Sequence, residues 1–268
     1  MSTPTPKRVA VVIYSLVHRR VRTLPVAMAS LAWVLPRLPY LLRSIHAIKN
    51  AVRPAESTIR FFFQMRHFQK LYTSPAYVQN LRSKNIISAE AAAAQANTRP
   101  IIYLSWHHGA GRIEELPRRA DLQAYIFSAY SFTTPHTLPA DHQALVKMSK
   151  ILAAGGRLVI TFDGQFGQLD LGSTIFGVPQ NLSNAFLYLI KLHNPVCIPV
   201  TFYAYDTGEV DIFYGPDLNA SGALTRREYS DGLQHVLEYF TQDFLAHGSY
   251  QIDYRFLLYP ERIKLLPW

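Results

Sequence analysis

Pro100-Ile101-Ile102-Tyr103-Leu104-Ser105-Trp106, followed at once by His107-His108-Gly109-Ala110-Gly111-Arg112, is the stretch on which the reading of this chain turns. A short, near-continuous apolar run rich in β-branched residues is the pattern of a strand covered on both faces. Three further runs read the same way: Ala124-Tyr125-Ile126-Phe127, Arg157-Leu158-Val159-Ile160-Thr161-Phe162 after the turn signal Gly155-Gly156, and Pro195 to Tyr203. Glu209–Tyr214 is predicted to pair with the last of these through Asp206-Thr207-Gly208. Helical patterns fall between and after them, over 140–153, 183–191 and 228–246. Strands alternating with helices predict an α/β fold, with a mixed central sheet flanked by helices. In such sheets ligand chemistry gathers at the carboxyl ends of the strands.

The chain around this core is asymmetric in charge. Residues 1–100 hold 15 Lys and Arg against Glu56 and Glu90, a balance of +13, whereas 101–268 balance at −4 within the overall +9. A basic part of this kind meets an anionic surface, either nucleic acid or lipid. What lies between the charges favours lipid: Val9–Val17 is apolar, and Leu24–Leu42 is apolar again, with Trp33 and Tyr40 as amphipathic anchors. Leu24–Leu42 is nearly long enough to span a bilayer. Pro25, Pro36, Pro39 and Arg37 interrupt it, so helices lying in the interface are expected, with one spanning segment as the alternative. Residues 1–95 are accordingly read as a basic, helical, membrane-associating region and 96–268 as the α/β domain. A single cysteine, Cys197, rules out a disulfide framework, and no spacing of His and Cys fits a metal site. Neither of the Gly-rich nucleotide-binding fingerprints occurs, so no cofactor is expected, and Ser105 and Ser128 lack the elbow of a serine hydrolase.

Two features fall at predicted strand ends. His107 and His108, followed by small residues and then Glu114 and Glu115, suit the activation of a hydroxyl. An imidazole takes the proton and a carboxylate holds its tautomer, while glycines let a substrate approach the backbone. The plainer alternative is that both histidines are structural. The second feature is Phe162-Asp163-Gly164-Gln165, where Asp163 either orients a substrate group or closes a turn.

The order of these elements resembles a known family. Gly155-Gly156-Arg157-Leu158-Val159-Ile160-Thr161-Phe162-Asp163-Gly164-Gln165 is similar to its Gly-strand-Asp element. Ser173-Thr174-Ile175-Phe176-Gly177-Val178-Pro179 is similar to its Phe-Gly-x-Pro segment, and Asn194-Pro195-Val196-Cys197-Ile198-Pro199-Val200 to its strand ending in proline. The family is that of the lauroyl and myristoyl acyltransferases of lipid A synthesis, within the lysophospholipid acyltransferase superfamily. The resemblance covers roughly residues 20–260. It implies a glycerolipid-acyltransferase-like fold at the cytoplasmic face of the inner membrane. It also implies an acyl thioester donor, on acyl carrier protein or coenzyme A, and a lipid acceptor. By that resemblance His107, with His108 in reserve, is the general base, Glu114 the orienting acid, and Arg112, Asp163 and Gln165 contact substrate.

One departure matters. The family's acid follows its histidine in a His-x-Gly-x-x-Glu pattern; here His107-x-Gly109 matches, but Arg112 holds the acid position and Glu114 comes two residues later. Three readings stay open: a local bulge brings Glu114 or Glu115 to the histidine, His107 is oriented by Asp163 or by backbone, or the site is degenerate and binds lipid without turnover.

Overall fold

The computed structural model describes residues 74–106, 122–128, 136–161, 169–170, 173–176, 178–179, 182–183, 185–247 and 251, with seven residues between 60 and 71. All belong to one compact unit, Ile45–Trp268. Residues 1–59, which hold most of the expected membrane-associating region, lie outside the described residues.

The expected mixed α/β sheet is present. Among the described residues, seven strands share one sheet: β1 (Arg82–Ile87), β2 (Ile101–Ser105), β3 (Ala124–Ser128), β4 (Thr137–Pro139), β5 (Arg157–Thr161), β10 (Val196–Ala204) and β11 (Glu209–Tyr214). Their spatial order is β1-β11-β10-β2-β5-β3-β4. From β10 to β4 every neighbour is parallel, and β11 turns back antiparallel to β10 through the Asp206-Thr207-Gly208 turn. Two small antiparallel pairs join β6 (Leu169–Asp170) with β9 (Leu182–Ser183), and β7 (Thr174–Ile175) with β8 (Val178–Pro179). The described helices are α1 (Pro75–Gln79), α2 (Ala89–Gln95), α3 (Ala144–Ala153), α4 (Ala185–His193) and α5 (Tyr229–His247).

Side chains of β2 and β10 alternate between two faces that are both buried, which is why these strands read as continuous apolar runs. Ile102, Leu104, Trp106, Leu158, Cys197 and Tyr203 enter one core with α3, α4 and α5. Ile101, Tyr103, Val159, Ile198, Val200 and Phe202 enter a second core on the other face, joined by Ala91 of α2. The chain direction explains the sides. The steps β4 to β5 and β5 to β10 cross the sheet in the same sense, and right-handed crossovers put α3 and α4 on one face. The step β2 to β3 runs in the opposite sense, and Leu122, just before β3, packs on the other face.

Residues 82–87 correct a sequence expectation. The polar run Arg82-Ser83-Lys84-Asn85 sits in the stretch read as helical, yet it pairs in parallel with β11 as the sheet's edge. An edge strand is exposed on most of its surface, so it lacks the apolar signature of a central one, and its basic side chains discourage further pairing.

The amino end of the parallel strands is closed by hydrogen bonds. Helix α3 ends in paired turns of the Schellman type, Gly156 N–H to Ile151 O at 2.8 Å and Gly155 N–H to Leu152 O at 2.9 Å, with Gly155 at φ +76°. A Cβ on Gly156 would meet Ile151 Cγ2 at 2.6 Å. Helix α4 ends instead at Asn194, φ +47°. The Asn194 Oδ1 accepts from Asn219 Nδ2 at 3.0 Å and Thr225 Oγ1 at 2.9 Å. Asn219, fully buried, also donates to Pro195 O at 2.8 Å and accepts from the Leu224 and Thr225 amides. Asp217 accepts from the Cys197 amide at 2.8 Å and pairs with Arg99 at 2.9 Å. Every polar atom of Asn219 is thus used. Asn219→Ala strands the buried Leu224 amide and Pro195 carbonyl and is expected to cost about 2–4 kcal/mol. A urea titration should show a lower midpoint at unchanged slope; an unaltered midpoint would remove this network as a fold determinant.

Candidate active site

The opposite end of the sheet is organised by where β2 and β5 stop. Ser105 pairs with Thr161, and on its other side with Val200. From this rim β2 leads toward β3, on the far side of β5, while β5 leads toward β10, on the far side of β2. Neighbouring strands whose onward connections part in opposite directions leave a crevice between their carboxyl ends, the usual ligand position in an open α/β sheet.

Side chains at this rim are held firmly. Ser105, fully buried, donates its hydroxyl to Val200 O at 3.0 Å. That bond makes Ser105 a fastener of β2 to β10 rather than a nucleophile. Trp106 is buried, and its ring meets Phe244 of α5 edge-on, centroids 6.3 Å apart. The short β7–β8 hairpin is tied to α5 by the Thr174 amide, which donates to Gln234 Oε1 at 2.9 Å. Its turn residue Phe176 is buried at φ +51°, a left-handed conformation that a bulky side chain adopts only under the constraint of its surroundings. This is the segment that the sequence marked as Phe-Gly-x-Pro.

Beyond Ser105 strand β10 continues after β2 has ended. Gln251 takes over there: its Oε1 accepts from the Ala204 amide and its Nε2 donates to the Ala204 carbonyl, both at 2.8 Å. Because Tyr205 N–H bonds to Glu209 O on the β11 side, the Ala204 groups face the β2 side. One buried amide side chain therefore replaces a missing strand partner. No sequence pattern marks Gln251. Tyr203, nearby on β10, donates to Asp243 Oδ2 at 2.5 Å, and His247 Nδ1 lies 3.2 Å from Asp243 Oδ1. Burial, and then the Asp243 charge, push the Tyr203 phenol well above its usual pKa, so it stays a donor. The His247 ring lies tilted against both Tyr203 and Phe213, at centroid distances of 5.1 and 4.7 Å. The arrangement locks the end of α5 to the sheet.

His107, His108, Arg112, Glu114, Asp163 and Gln165 lie outside the described residues; their nearest described neighbours are Trp106 and Thr161. Two described histidines meet carboxylates: His247 as above, and His67, whose Nε2 is 2.9 Å from Asp206 at an exposed hairpin turn. Among the described residues no cluster of three or more His, Cys, Asp or Glu could hold a metal, and no helix is long and apolar enough to cross a membrane.

The Gln251 latch is testable by itself. Gln251→Ala leaves two backbone groups of Ala204 buried without partners, expected to cost about 2–3 kcal/mol. Hydrogen exchange should quicken at the Ala204 amide and stay slow at Tyr205, whose partner is Glu209; equal protection at both would refute the latch.

No protein-family model matches the chain, and no curated protein matches it in sequence. Among solved structures it is similar to the crystal structure of PlsC, the 1-acyl-sn-glycerophosphate acyltransferase from Thermotoga maritima. The TM-score is 0.42 at 10% identity, over 80% of this chain and 92% of that one.

Proposed function

We propose that this chain is an acyltransferase of the membrane surface, moving a fatty acyl group from a thioester to a hydroxyl of a glycolipid or lysolipid. The observation that carries the reading is the pairing of Ser105 with Thr161 on adjacent parallel strands. The stretches that begin at His107 and Asp163 each start two residues beyond one of these partners. Two residues of chain reach at most about 7 Å, so both stretches set out from one end of one sheet.

In this reading His107 takes the proton from the acceptor hydroxyl as its oxygen attacks the thioester carbonyl. The C–S bond then breaks, the thiolate leaves, and the imidazolium returns the proton to it. Glu114 keeps the imidazole in the correct tautomer, and His108 is the reserve base. Arg112 suits a phosphate on acceptor or donor, since its guanidinium can bind two oxygens at once. Asp163 and Gln165 position substrate from the β5 side. The thioester brings its own activation, so the chemistry asks for no cofactor. The order of the motifs supports a lipid A-type acceptor and a donor on acyl carrier protein or coenzyme A. The +13 balance of residues 1–100 supports attachment to the anionic cytoplasmic face of the inner membrane. Arg112 in the acid position favours one second reading, a lipid-binding protein without turnover.

Purified protein incubated with acyl thioester and lysolipid should yield the acylated product by mass spectrometry. His107→Ala is expected to lower kcat about 10²–10⁴-fold with little change in KM for the acceptor. Full activity in His107→Ala would end this assignment of the base. Lipid binding without any product from the wild type would instead establish the second reading.

A further inference from the structure

Strand β10 is nine residues long and its parallel neighbour β2 only five. Their register ends with Val200 opposite Ser105, so Thr201, Phe202, Tyr203 and Ala204 run on beyond β2, all of them buried. At about 3.3 Å per residue, Ala204 stands about 13 Å past the level at which β2 stops. The other edge of β10 stays paired throughout, with Ala204 itself opposite Val210 of β11. Backbone groups of alternate residues point to opposite edges, and Val200, whose carbonyl accepts from Ser105 Oγ at 3.0 Å, faces β2. Ala204 therefore presents its N–H and C=O in the lane that β2 vacates, and Gln251 fills that lane with two bonds of 2.8 Å. A strand cannot extend through a position whose partners are already taken.

The segment that brings Gln251 there also holds the end of β2. Asp243 accepts from the Tyr203 phenol at 2.5 Å, and Phe244 packs edge-on against Trp106 with ring centroids 6.3 Å apart. The helix ends at His247, and Gln251 follows by four residues, a reach of at most about 14 Å. One short stretch of chain thus grips β10 beside the lane, packs on the residue that follows β2, and closes the lane ahead of it. Gln251 is 3% exposed, and its amide oxygen and nitrogen each meet one backbone partner. The plainer role, satisfying Ala204, explains the two bonds. It does not explain why the same stretch also holds Trp106, one residue before His107. A reaction whose rate depends on reacting groups being placed to within about 1 Å needs the exit from β2 fixed in this way.

We infer that Gln251 is a positioning residue for acyl transfer: by occupying the lane of β2 beyond Ser105, it limits where the chain bearing His107 leaves the sheet. The role rests on the acyltransferase reading, and its test separates the two. Gln251→Ala is compared with Asn219→Ala, which removes a buried amide of similar standing at the opposite end of the sheet. Both are assayed as the full chain in detergent, at a temperature where circular dichroism shows each as folded as wild type. With acyl-coenzyme A and a lysophospholipid, Gln251→Ala should lower kcat about tenfold to a hundredfold and leave KM for acyl-coenzyme A within about twofold. Asn219→Ala should keep both constants. Independently of turnover, modification of His107 by diethyl pyrocarbonate, followed by peptide mass spectrometry, should quicken in Gln251→Ala and not in Asn219→Ala. Should Gln251→Ala fail to fold, Gln251→Asn, which keeps the amide but is one methylene short, is measured in the same way. The inference is overturned if the two sites lose kcat equally, or if the Gln251 variant keeps both wild-type kcat and wild-type His107 reactivity. Absence of transfer by the wild type would defeat the acyltransferase reading, while the reactivity of His107 still decides whether Gln251 governs its placement.

Discussion

Strand β2 is hydrogen-bonded on both edges and covered on both faces, and that double constraint determines where chemistry can occur. With β10 on one side and β5 on the other, its backbone has no freedom of register. Buried side chains alternate into two separate cores, so a slip of one residue would carry Tyr103 and Leu104 into the wrong cores. The position at which β2 ends is therefore as rigid as the centre of the sheet. Residues departing from Ser105 and from Thr161 start from an invariant base, which a reaction needing reactants within about 3–3.5 Å requires.

The two ends of the sheet are treated differently. At the amino end, Asn219, Asp217 and Asn194 satisfy one another and the backbone around them, leaving no capacity for a ligand. This is what a network looks like when its work is to terminate helices and hold loops. At the carboxyl end the described bonds are anchors: Ser105 to Val200 and Gln251 to Ala204. Each fixes backbone at the rim of the sheet. Strain at Phe176 sits on a hairpin bound to α5.

Much of this architecture was legible in the residues, for a physical reason. Central strands bury both faces, so Ile101 to Leu104 and Val196 to Phe202 carry a signal stronger than any local preference. The turn at Gly155-Gly156 and the Asp206-Thr207-Gly208 hairpin were readable because left-handed backbone demands glycine there. What escaped was held by context. Strand β1 is polar because an edge has little to bury, and it looked like the end of a helical region. Gln251 is one glutamine in an aromatic stretch, and only the end of β2 gives its amide a purpose. The candidate site itself was visible as motif order, since His107 and Asp163 each follow a strand by two residues. The carboxylate that would orient the histidine was not, because Arg112 stands where the spacing asks for it.

That carboxylate must come from a limited supply. Asp243, the buried acid near this end of β10, already accepts from Tyr203 and meets His247, and Asp217 is spent on Arg99 at the far end. Withdrawing Asp243 from Tyr203 would strand a buried hydroxyl, at a cost comparable to what a catalytic pair gains from its orienting acid. The described carboxylates that are buried are thus committed to the fold. For an imidazole at position 107 that works as a base, the sequence offers Glu114 and Glu115 in its own stretch, or Asp163 after β5, as candidate partners.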